Sequence, residues 1–189
     1  MITCEEIYDL HTTGALESAL CEAYREIPLD SRNSMRKNDT PLHMACAFAD
    51  ENAVRILLER GADVNVRNDD GDTPLCVLAK RKCCGKETTI AGIAGLLVSK
   101  EARVPRSGKN TTALIEAVGN RHFLMADILL MSGCRIDSTN SNGNNVLHVI
   151  CQSAGDIAYD IKRTKERIAD FSERWYSEKD KREAYENME

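Results

Sequence analysis

DTPLHMACAFADENAVRILLERGADVNVRN, residues 39–68, is the stretch whose reading decides the fold. Thr40 suits a helix N-cap, and Pro41 suits the first helical position, where its missing N–H costs nothing. Leu42, Ala45 and Cys46 then share one apolar face, and two of the three are small enough to let a neighbouring helix approach closely. Asp50 or Glu51 opens a second helix, with Val54, Leu57 and Leu58 at i, i+3 and i+4. Gly61 stands where a helix end calls for a left-handed residue. One such pair of short helices cannot bury both of its faces, so it needs copies of itself.

The copies are there. Thr73-Pro74-Leu75-Cys76, Thr112-Ala113-Leu114-Ile115 and Asn145-Val146-Leu147-His148 repeat the opening, so openings fall at 40, 73, 112 and 145. Leu129-Leu130 and Gly133-Cys134-Arg135-Ile136-Asp137 repeat the close. The steps of 33, 39 and 33 put six extra residues between 76 and 111, and Lys82–Ala91 (KCCGKETTIA) is where the pattern breaks. Either Leu96-Leu97 or Leu97-Val98 fills the double-leucine position of that copy. TPLH, the double leucine and GADVN at this period resemble the ankyrin repeat.

The resemblance implies an all-α ankyrin-repeat solenoid of about five repeats, the first degenerate, followed by a long C-terminal helix. The expected repeats lie near 1–35, 36–68, 69–106, 107–139 and 140–165, within an ankyrin repeat domain over 1–165, with a charged extension over 166–189. Residues 3–11 and a segment opening at Gly14 form the two helices of the degenerate repeat, whose outer face meets water. From Asp156 to Glu189 the chain holds 8 basic and 10 acidic residues and no Gly or Pro. Ile157, Ile161, Ile168, Phe171 and Trp175 recur there at helical spacing, which predicts one long helix or two collinear ones over the last repeat.

Composition excludes several classes. A net charge of −5, from 25 basic and 30 acidic residues, opposes nucleic-acid binding by bulk charge. No apolar run approaches a membrane span, and MITCEEIYDL lacks the order of a signal peptide, so the expectation is a cytoplasmic protein without a membrane partner. Eight cysteines without a C-x-x-C read as reduced thiols filling small apolar positions.

Catalytic and cofactor motifs fail on inspection. Gly85-Lys86 and Gly108-Lys109 look faintly like phosphate loops, but Lys80 and Arg103 replace the leading glycine, and Glu87 and Asn110 the final Ser or Thr. His43-x-x-Cys46 and His148-x-x-Cys151 have a zinc-like spacing, yet both fill the same two repeat positions. The resemblance makes that histidine structural, bonded locally and to the next repeat. Cys83-Cys84 beside Lys80, Arg81 and Lys82 could carry a reactive thiol, and that thiol or a His/Cys metal site defines the alternative of a cysteine- or metal-dependent enzyme. The leading expectation is no enzyme, no metal and no cofactor.

What remains is surface. By the resemblance, a partner protein binds the concave face made by loop tips and the exposed sides of the first helices. That assigns Arg36, Lys37, Asp39 and Phe48 from one repeat, Arg67, Asp69, Asp70, Asp72, Lys80 and Arg81 from the next, and Lys109, Thr111 and Asn120 from the third. Phe48 is the expected apolar anchor. The function implied is a scaffold or adaptor, monomeric or self-associating through the C-terminal helix. A pathogen effector or regulatory subunit docking a host protein is the alternative.

Overall fold

The computed structural model describes residues 2–82, 85–102, 112–137, 139–140 and 142–153. The described residues are helical, with no strand. In chain order the helices are α1 (Cys4–Thr13), α2 (Glu17–Glu26), α3 (Pro41–Phe48), α4 (Glu51–Glu59), α5 (Pro74–Ala79), α6 (Glu87–Ser99), α7 (Thr112–Gly119), α8 (Phe123–Met131) and α9 (Val146–Ser153). A 3-10 turn over Ser34–Arg36 precedes α3. Two compact units divide the chain, Met1–Val146 and Leu147–Glu189. The first carries eight of these helices as a two-layer stack. First helices α1, α3, α5 and α7 pack in succession, as do second helices α2, α4, α6 and α8.

The helix ends explain why the chain breaks where it does. Thr3 and Glu6 form a capping box at α1, with Glu6 N donating to Thr3 Oγ1 at 3.2 Å and Thr3 N to Glu6 Oε2 at 2.9 Å. Asp50 caps α4 by accepting from Ala53 N at 3.0 Å. Thr73 does the same for α5 through Cys76 N. At the far ends, Gly14, Gly61 and Gly133 take positive φ of 73°, 87° and 90°, which a side chain would resist.

The core lies between the layers. Ile7, Met44, Leu57, Leu78, Ile93, Leu97, Met125 and Leu129 are fully buried. Each such side chain contributes roughly 1.5–3 kcal/mol by leaving water. Leu97 settles the open alignment. Ala102 N donates to Leu97 O as Ala62 N does to Leu57 O and Cys134 N to Leu129 O, so Leu97-Val98 holds the double-leucine position. Leu97 follows Leu57 by 40 residues while Thr73 follows Thr40 by 33, so seven extra residues enter before Leu97. They lengthen the α5–α6 connection and the start of α6. The segment that follows, residues 103–111, is by sequence count one residue shorter than its counterpart and lies outside the described residues.

In the degenerate first repeat, α2 buries Leu20, Ala23 and Tyr24 and exposes Ser18, Glu22, Arg25 and Glu26. The expected helix over 156–189 lies outside the described residues.

Candidate functional site

The loops before α3 and α5 share one design. Asn68 Oδ1 accepts from Asp70 N at 3.1 Å and Asp72 N at 2.9 Å, and Asn68 N donates to Asp72 O. Asn140 repeats this with Asn142 and Asn144. Asn33 opens the preceding loop, accepting from Met35 N and bridging to Asp39. These asparagines hold each tip in one shape, and the sequence reading passed over them, though Asn68 and Asn140 recur at the repeat's own spacing.

Neighbouring tips are stitched together. Lys37 Nζ pairs with Asp70, Asn38 Nδ2 donates to Asp69 Oδ2 at 2.8 Å, and Asp69 N donates to Lys37 O at 2.8 Å. Asp39 and Asp72 differ from the other tip acids. Both are buried: Asp39 Oδ1 accepts from Asn68 Nδ2 at 2.8 Å, and Asp72 Oδ2 from Lys80 Nζ at 2.5 Å. Burial works against the charge on Lys80, but the Asp72 carboxylate outweighs it and raises the ammonium's pKa. Arg67 is exposed, with Nη1 donating to Gly71 O at 2.7 Å.

Phe48, Arg81 and Asn120 occupy equivalent positions at or just past the ends of first helices, and each reaches back to the repeat before it. The Phe48 ring stacks on His11 with centroids 4.1 Å apart and planes 7° apart. Arg81 Nη1 donates to Ala47 O, and Asn120 Nδ2 to Ala79 O at 3.1 Å. The last two satisfy carbonyls at the negative ends of α3 and α5. All three residues are half-buried, so Phe48 is a packed ring and not a free anchor. The strip therefore fixes repeat to repeat before it offers anything to a ligand. Lys109 and Thr111 lie outside the described residues.

Among the described residues on this side, the most open apolar group is Met35, 86% exposed at the first tip. Arg36 beside it lies over the Tyr8 ring at 5.1 Å, and Tyr8 meets Phe48 at 5.8 Å. Tyr8, Arg36, Phe48 and His11 thus form a continuous half-buried patch next to a bare methionine.

The histidines and cysteines behave as packing groups. His43 is fully buried: Thr40 N–H and Oγ1 lie against Nδ1, and Nε2 donates to Asp72 O at 3.0 Å. Both nitrogens are engaged, one locally and one in the next repeat. Burial lowers its pKa, with Asp72 and Asp39 opposing. Cys46 is fully buried, and burial pushes its thiol pKa far up. Burial also pushes Cys134 up to about 12, with Cys76 adding to the shift. His122, buried at the start of α8, meets Arg81 O at 2.5 Å through Nε2. His148 and Cys151 in α9 are exposed. Cys83 and Cys84 lie outside the described residues. No group of three or more metal-ligating side chains occurs among the described residues, and no described helix is long and apolar enough to cross a membrane.

Comparison with known proteins agrees with this architecture. The ankyrin repeat family matches residues 37–69. The chain is 34% identical over 68 residues to an ankyrin repeat-containing protein of Schizosaccharomyces pombe, covering 32% of this chain and 33% of that protein. It is 28% identical over 121 residues to the B-cell lymphoma 3 protein homolog of Mus musculus, covering 60% of this chain and 25% of the relative. A phosphocholine transferase of Legionella pneumophila, AnkX, is 29% identical over 112 residues, 58% of this chain and 11% of the transferase. The chain spans a third or less of the length of each of these relatives.

Proposed function

Because residues 37–69 make this chain an ankyrin-repeat protein, we propose that it is a binding module which holds a partner protein on the side bearing its loop tips and first helices. Ankyrin repeats are in general protein–protein interaction modules. The observation that carries the reading here is Met35, nearly bare on a tip fixed by Asn33 and by the stitching to Asp69 and Asp70. Together with Arg36 on Tyr8 it makes an apolar group beside a cation on a rigid support. Such pre-ordered apolar and arginine side chains suit a hot spot, since little conformational freedom is lost on binding. Binding rather than catalysis suits the interior, where His43 uses both nitrogens for packing and the Cys46 thiol is buried.

The test is affinity purification with quantitative mass spectrometry, comparing wild type with Met35→Asp/Arg36→Gln. Met35 is exposed, while Arg36 is half-buried with Nε 3.8 Å from Asp39 Oδ2, so circular dichroism first verifies that the variant is folded; the folded variant loses the proteins that wild type enriches. Arg25→Gln/Arg55→Gln, on the second-helix layer, retains them. An unchanged set of proteins on the first variant would place the contact elsewhere. Nothing enriched by wild type over a blank would sink the reading itself.

A further inference from the structure

Two arginines at equivalent loop positions stand out because neither has a carboxylate within ion-pair distance among the described residues. Arg32 Nη1 donates to Asn38 O at 3.0 Å and to Arg67 O at 2.9 Å. Arg67 Nη1 donates to Gly71 O at 2.7 Å. Each guanidinium is thus pinned across its own loop by one nitrogen, and Arg32 also reaches the loop of the next repeat. Both side chains are exposed. Their Nε and Nη2 groups have no bond within the described fold. The nearby tip acids do not neutralise them, since Asp70 pairs with Lys37 and Asp69 accepts from Asn38.

We propose that Arg32 and Arg67 form a carboxylate-binding fork, and that the partner presents closely spaced Asp or Glu side chains to it. This rests on the protein-binding reading above and names the chemistry of that partner. Neutral carbonyls orient a guanidinium without spending its charge, so two fixed forks keep donors for bidentate carboxylate recognition. Arginine anchored in advance loses less side-chain freedom when the ligand arrives. A short acidic protein segment fits better than nucleic acid. A polyanionic strand would extend over Asp69 and Asp70 on a chain of net charge −5, and repulsion there opposes the few basic contacts.

The probe is a fluorescein-labelled hexa-aspartate peptide, with hexa-asparagine and a ten-nucleotide thymidine strand as comparators, read by anisotropy at low and physiological salt. Wild type binds hexa-aspartate in preference to both. Arg32→Gln/Arg67→Gln loses about tenfold or more in affinity, as expected when charge-assisted hydrogen bonds are removed. Arg32→Lys/Arg67→Lys, which keeps the charge and loses the fork, loses several-fold. Arg25→Gln/Arg55→Gln binds as wild type. Should the first variant fold poorly, the arginine Nε–H resonances of the wild-type protein serve instead. Those of Arg32 and Arg67 shift on adding hexa-aspartate while that of Arg25 stays.

Equal affinity for hexa-asparagine, equal loss in the Arg25/Arg55 control, or unmoved Arg32 and Arg67 resonances would overturn the fork. Preference for the thymidine strand would overturn it in favour of a nucleic-acid ligand. Failure here with intact protein capture by wild type leaves the protein-binding reading standing. Failure of that capture removes the reading independently.

Discussion

At single positions, the backbone shows where this sequence departs from its own pattern. The left-handed position after each second helix is Gly61 in one repeat and Gly133 in another, but Glu101, at φ 61°, in the repeat between. A side chain there costs about 1–2 kcal/mol against the following carbonyl, offset in part by the lower unfolded-state entropy of a non-glycine residue. Glu101→Gly should therefore raise the unfolding free energy by about 0.5–1 kcal/mol in denaturant titration. A loss of stability would mean that the exposed Glu101 side chain makes a compensating contact. His43 and His11 give a second residue-scale outcome. Burial lowers both pKa values, although Asp50 at 3.9 Å opposes the shift at His11. The unfolded chain then binds more protons than the folded one just below the ordinary histidine value, so stability rises with pH there. It is complete above about pH 6.5 and is lost as pH falls through the folded-state values. Imidazole midpoints at or above 6.5 by NMR would contradict this. Much of this scale was legible. His43 reads as a structural bridge because the same residue opens the repeat twice. The stacking of Phe48 on His11 was not legible, because only the alignment of Thr3 and Glu6 with Thr40 and His43 places those two rings in equivalent positions.

Among the elements, α3 and α4 were readable from sequence alone because every local signal agrees there: proline at the first turn, small residues on one face, an acid at the next N-cap and a glycine at the end. The α6 segment was not, for a physical reason. Leu96, Leu97 and Val98 are all apolar, so hydrophobicity cannot choose between registers, and the glycine that would mark the end is Glu101. The hydrogen bond from Ala102 N to Leu97 O decides it. The consequence is measurable. Leu97 is fully buried and Leu96 half-buried, so Leu97→Ala should cost about 2–5 kcal/mol and Leu96→Ala clearly less. Leu57→Ala, at the equivalent buried position, should match Leu97→Ala. Equal losses at 96 and 97 would return the register to doubt. The lengthened α5–α6 connection is compensated within the same repeat pair, since Glu87 Oε1 accepts from Leu124 N at 3.0 Å where α8 has no side-chain cap of its own.

Across the first unit, stability is distributed along a line of neighbour contacts instead of one central core. His43 reaches Asp72 O, Arg60 donates to Tyr24 O and Ile27 O at 2.6 and 2.7 Å, Asn52 meets Glu17, and Arg81 and Asn120 tie back to the helices before them. In such an array each repeat is marginal alone, and cooperativity is carried by the interfaces. Asn68 is the most connected of these links, holding its own tip through two backbone N–H groups and the previous repeat through Asp39. Removing it leaves the buried Asp39 carboxylate short of a donor, a loss of about 1–3 kcal/mol for a buried polar group. More telling than the size of the loss is its distribution. Hydrogen exchange followed by mass spectrometry on wild type should give α3–α4 and α5–α6 a common opening free energy, as one cooperative body. In Asn68→Ala the two pairs should separate, because the weakened interface lies between them. Gly71, at φ 77° in the same tip, supplies a contrast. Gly71→Ala strains the tip without removing the Asn68–Asp39 link, so it should lower stability while the two pairs continue to open together. Separate opening in both variants, or in neither, would show that the cooperativity of this unit does not pass through Asn68.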